Sequence, residues 1–134
     1  METIGTTQIL VVVADNQNWE NLRQKLVINA WHVDQLRRVA TPMELQDVLA
    51  MSGSTFGPIV VDLEFSKQAR PEFLCALASY REKISPEERP WILACCNEVK
   101  DLQELILQGN FLRLPWTPGS TLLGRILDEI NNHQ

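Results

Sequence analysis

Two aspartates stand where a carboxylate has work to do. Asp62 closes the apolar run Pro58-Ile59-Val60-Val61, and Asp15 follows directly on Ile9-Leu10-Val11-Val12-Val13-Ala14. An acid at the tip of a buried strand can ligate a hard divalent cation, accept a group in transfer, or cap the turn that follows. Glu64, two residues beyond Asp62, reads as a solvated loop acid. Cys75, Cys95 and Cys96 are the three thiols; their spacing matches no zinc site, and adjacent cysteines rarely pair with each other. A nucleophilic thiol needs a base and a depressed pKa. The two histidines, His32 and His133, lie after the first helix and in the C-terminal tail, away from Cys95 and Cys96. That placement speaks against both a catalytic thiol and a histidine-centred metal site. Free buried thiols in a reducing compartment are the expectation.

With 134 residues the chain is long enough for one domain, residues 1–134, with a real core. Hydrophobic content of 45% and charged content of 22% are those of an ordinary globular protein. A formal net charge of −5 argues against direct nucleic-acid binding, which needs a basic face. The N-terminus carries no basic segment followed by a long apolar one, and the longest apolar run, Ile9 to Ala14, is too short to span a bilayer. A cytoplasmic protein without a membrane role is expected.

Short apolar runs alternate with longer amphipathic segments. Gln8 to Ala14 reads as a strand buried on both faces, and a helix runs through Trp19 to Trp31 after the cap-forming Asp15-Asn16-Gln17-Asn18. Val33 to Val39 is a weaker, alternating strand near an edge. Thr41-Pro42-Met43-Glu44 combines an N-cap, a first-turn proline and an acid three residues on, so a helix starts there and runs to about Met51, ending at Gly53. Pro58 to Leu63 is the third strand, Arg70 to Ile84 the third helix, and Pro90 to Cys96 the fourth strand. Glu98 to Gln108 is a helix stopped by Gly109-Asn110, Phe111 to Leu114 a short fifth strand, and Thr121 to Asn131 the last helix.

Strand and helix alternating five times imply a parallel sheet with helices on both faces. Sheets of this size commonly take the flavodoxin-like order 2-1-3-4-5, with a crevice at the carboxyl ends of strands one and three. Asp15 and Asp62 would meet in that crevice.

These segments together resemble the receiver domains of two-component response regulators over nearly the whole chain. Ile9 to Asn16 is similar to the family's opening strand and acidic pair, and Ile59-Val60-Val61-Asp62-Leu63 to the third strand ending in the phospho-acceptor aspartate. Pro90 to Cys96 parallels the fourth strand, which in the family ends in Thr or Ser. Gln108 to Trp116 parallels its glycine, short fifth strand and Lys-Pro-aromatic. The resemblance makes Asp62 the equivalent of the phospho-acceptor and leaves Asp15 and Asp62 as the residues for a weak magnesium site. Three of the five family positions differ: Ala14 stands for the first acid, Cys95 for the hydroxyl, and Leu114 for the lysine before Pro115. Phe65-Ser66-Lys67-Gln68 occupies the loop where the family has Met-Pro and a glycine, and Lys67 and Lys100, on other loops, are not expected to replace the missing cation.

A dianion forming at Asp62 would lack the cation and hydroxyl on which phosphoryl transfer relies. The chain is therefore expected to be a pseudo-receiver: a signalling interaction module, not an enzyme, that regulates a partner by binding without phosphorylation. The alternatives are a phosphorylatable receiver taking a phosphoryl group on Asp62 from a histidine kinase, and a small-ligand or redox sensor. The resemblance implies a histidine kinase, an output domain or another regulator as partner, or a homodimer through the face of helix four, strand five and helix five. Phe111, Arg113 and Trp116 are the residues expected to serve that face, Trp116 as an aromatic anchor. Trp19, Trp31 and Trp91 are expected to pack locally.

Overall fold

The computed structural model describes residues 8–28, 36–51, 57–63, 70–96, 102–115 and 119–132. Trp31, His32, Val33, Gly53, the segment from Glu64 to Gln68, Glu98, Lys100, Trp116 and His133 lie outside the described residues.

The elements run β1 (Ile9–Val12), α1 (Asn16–Ile28), β2 (Leu36–Val39), α2 (Pro42–Met51), β3 (Ile59–Asp62), α3 (Arg70–Glu82), β4 (Ile92–Cys95), α4 (Gln103–Leu107), β5 (Phe111–Leu114) and α5 (Ser120–Asn132). The strands form one parallel sheet in the order β2-β1-β3-β4-β5, as the alternation of elements predicts.

The two-residue strand period divides the core into two layers. Ile9, Val11, Val13, Val60, Leu93, Cys95 and Leu114 meet Leu22 and Leu26 of α1 and Leu123, Leu127 and Ile130 of α5 on one face. Leu10, Val12, Ile59, Val61, Ala94 and Cys96 meet residues of α2, α3 and α4, among them Leu45, Phe73, Leu77 and Leu105, on the other. Both faces of β1, β3 and β4 are thus covered, which is why these strands read as unbroken apolar runs. Each fully buried Leu, Ile or Val stabilises by about 2 kcal/mol relative to exposure, so the sheet's position is set by its centre. The edges differ: in β2 and β5 only Val39 and Leu114 are buried, and Arg37 and Arg113 are exposed.

The local signals at helix ends are realised. The Glu44 backbone N–H donates to Thr41 Oγ1 (3.1 Å), and the Ala40 N–H donates to Glu44 Oε1 (3.1 Å), closing a reciprocal cap at the start of α2. After α4 the chain turns through Gly109 (φ 83) and Asn110 (φ 50), the left-handed pair that lets it reverse into β5. A buried cation from α3 holds this turn. The Arg81 guanidinium donates to the carbonyls of Leu105 (3.4 Å), Gly109 and Asn110 (3.3 Å). Arg89 adds bonds from Nε to the Arg81 carbonyl (2.9 Å) and from a terminal nitrogen to the Gln108 carbonyl (3.0 Å). Burial, with the Arg89 charge beside it, lowers Arg81 to about 10, which leaves it protonated at neutral pH.

Candidate crevice at the carboxyl ends of β1 and β3

The turn after β1 begins with Val13-Ala14-Asp15, and α1 opens at Asn16. Asp15 caps that helix. Its Oδ2 accepts the Asn18 backbone N–H (3.0 Å), and its carbonyl accepts the Trp19 N–H (3.0 Å). Asp62 ends β3 only 3% exposed, and its Oδ2 accepts the side-chain amide of Asn18 at 2.9 Å. One residue, Asn18, therefore touches both carboxylates: the main-chain donor serves Asp15 and the side-chain donor serves Asp62.

A cation reaches the same turn from β2. Arg38 donates from Nε to the Val13 carbonyl (3.2 Å) and from a terminal nitrogen to the Ala14 carbonyl (3.2 Å) and Asn16 Oδ1 (2.8 Å). Its guanidinium carbon lies 5.8 Å from the centre of the Trp19 ring, within range of a cation–π contact. Ala14 itself is exposed and brings no side-chain oxygen.

Strand register sets the remaining positions. Asp62 pairs with Cys95, and Cys95 with Leu114, so an acid, a thiol and a leucine form one row across three adjacent strands. Cys95 is fully buried, and Leu114 is buried against α5 in the same core layer. Burial, then the negative charges of Asp62 and Cys96, push the Cys95 thiol up to about 12, with Lys25 pulling the other way. The thiol is protonated at neutral pH and cannot act as a nucleophile there.

Hard divalent cations take six or more oxygen ligands and favour carboxylates not already engaged. Here Asp15 and Asp62 both accept hydrogen bonds from Asn18, Ala14 adds no carboxylate, and a guanidinium binds the turn's carbonyls. Among the described residues no cluster of three His, Cys, Asp or Glu side chains could hold a metal ion. The described residues at this crevice do not fit a magnesium site.

The expected interface residues are spread out. Phe111 is half-buried and packs on the α2–α3–α4 layer, while Arg113 is exposed and donates to the Cys96 carbonyl (3.0 Å). Nearby, Ile106, Leu107, Leu112 and Leu122 of α4, β5 and α5 are exposed apolar side chains, Leu107 at 83%. Trp19 and Trp91 pack against the α1–α5 layer, as expected of them. Asn18 and Arg38 were not identified from sequence as site residues. The one local signal was Asn18 itself, three residues after Asp15 in the cap segment.

No protein-family model and no curated protein matches the chain. Among solved structures it is similar to the N-terminal domain of an uncharacterized protein from Wolinella succinogenes, with a TM-score of 0.72 and 18% identity over 96% of this chain and 95% of that one. It is also similar to a response regulator receiver domain protein from Clostridium thermocellum, with a TM-score of 0.68 and 16% identity over 95% of each chain. The chain has the flavodoxin-like fold of receiver domains, and at these identities the likeness extends to fold alone. Among the described residues no helix is long and apolar enough to cross a membrane.

Proposed function

We propose that this chain is a pseudo-receiver: a signalling module that regulates a partner protein by binding, with no phosphoryl transfer at Asp62 and no catalytic activity of its own. The observation that carries this reading is the row Asp62–Cys95–Leu114. A phosphoryl group on Asp62 brings about two negative charges and needs hydrogen-bond donors and cations around it. Its neighbours in the row are a protonated thiol, a weak donor, and a hydrocarbon side chain. The exposed apolar side chains of α4, β5 and α5, with Arg113 beside them, suit a signalling partner, whether a histidine kinase, an output domain, another regulator or a second copy. Cys75, Cys95 and Cys96 are free thiols, which suits a cytoplasmic site of action.

Incubation with a small phosphodonor and magnesium, followed by intact-mass measurement, tests the reading. The expected spectrum is unchanged from the untreated chain. A stoichiometric gain of one phosphoryl group that disappears in Asp62→Asn would falsify it and favour a working receiver fed by a histidine kinase.

A further inference from the structure

A divalent ion held between carboxylates on two strand ends does two things at once: it offsets their charge and ties their segments together. The crevice here ties the same two segments together with a protein amide, and a guanidinium binds the adjoining turn. Asn18 spans 44 residues of sequence to reach Asp62 while its own N–H stays on Asp15, so it ties the start of α1 to the tip of β3. Arg38 brings a positive charge to the β1–α1 turn and fixes three of its oxygens, with its guanidinium over the Trp19 ring.

We propose that Asn18 and Arg38 form a built-in latch that replaces a bound cation and holds the crevice in one arrangement without metal. Neither is a catalytic residue; both are positioning residues. The latch deepens the proposed function by naming what sets the crevice in a module that does not switch through Asp62. The Asn18 amide is the element that excludes a cation. It places a donor where a third carboxylate, beside Asp15 and Asp62, would complete a set of acids. The charged groups that the hydrogen bonds place at the latch are Asp15, Asp62 and Arg38 itself.

The test follows thermal unfolding in EDTA and in magnesium raised to about 10 mM, above the range of weak oxygen-ligand sites. The wild-type midpoint is expected to be the same in both. Asn18→Ala removes the bridge without adding charge, and its midpoint is expected to fall by a few degrees, about 3 °C, and to remain insensitive to metal. Asn18→Asp exchanges the donor for a carboxylate. It is expected to be less stable than wild type in EDTA and to regain stability saturably with magnesium, over a range in which wild type does not respond. A saturable metal response in the wild type overturns the latch, as does an unchanged midpoint in Asn18→Ala, or a folded Asn18→Asp with no metal response. Should Asn18→Asp not fold, the other two proteins decide the matter. A metal response without phosphoryl gain removes the latch and leaves the proposed function standing. A phosphoryl gain without a metal response does the reverse.

Discussion

Arg38 and Arg81 each clamp backbone carbonyls of a turn, Arg38 at the carboxyl end of the sheet and Arg81 at the amino end, where the chain reverses from α4 into β5. Their surroundings separate them. Arg81 is fully buried beside a second guanidinium, and its carbonyl partners come from the end of α4 and the reversal into β5. Arg38 is half-exposed and binds the turn that carries Asp15, the residue that caps α1. A buried charge bound by carbonyls is costly to remove because its acceptors stay behind without water, whereas solvent can replace one at a rim. The amino end is thus fixed by necessity. The carboxyl end is fixed by a latch that water could partly replace, and that is the end where this fold carries its crevice.

The contrast predicts unequal costs. Arg81→Met leaves the Leu105, Gly109 and Asn110 carbonyls without their donor and should lose about 3 kcal/mol, on the order of 10 °C in midpoint, measured by urea and thermal unfolding. A loss below about 1 kcal/mol would mean that water enters the turn and that the two ends are alike. Next comes the thiol at the carboxyl end. Cys95 is pushed up from 9.0 to about 12, so the folded chain keeps a proton that the unfolded chain loses above 9.0. The stability from this difference is full below 9.0 and is lost as pH rises through about 12. Cys95→Ala should flatten the alkaline limb of a stability–pH curve, and an equally steep limb in that variant would assign the loss to other groups. The smallest effect belongs to Arg38→Met, about 1 kcal/mol. Because the two arginines bind different acceptors and sit at opposite ends, the double variant should equal the sum of the two within about 0.5 kcal/mol; a larger departure would show that the ends communicate.

Much of the fold was legible because it follows from period. Residues on both faces of β1, β3 and β4 are apolar, so these strands stand out in the sequence, and Thr41 with Glu44 marks the start of α2 through bonds made within four residues. Strand ends trimmed from Gln8–Ala14 to Ile9–Val12 and from Pro90–Cys96 to Ile92–Cys95 reflect where ladder pairing stops, which apolar character alone does not mark. The meeting of Asp15 and Asp62 at one crevice was readable from strand order. The bonds that decide its chemistry were not. Asn18 and Asp62 are 44 residues apart, and an amide carries no sign of its partner. Nothing in the sequence marks Arg38 or Arg81, because a carbonyl acceptor is present at every residue and only the tertiary fold chooses among them. Phe111 is half-buried against the α2–α3–α4 layer, a placement that depends on the short edge strand carrying it.

The two edge strands have a consequence for how copies of this chain can meet. A parallel sheet presents unpaired N–H and C=O groups along β2 and β5, a template on which another strand could grow. Arg37 lies exposed on one edge and Arg113 on the other. Any edge-to-edge approach, like with like or one with the other, brings cation toward cation, even though the chain as a whole is acidic at −5. Exposed cations on both edge strands thus oppose extension of the sheet by a second copy.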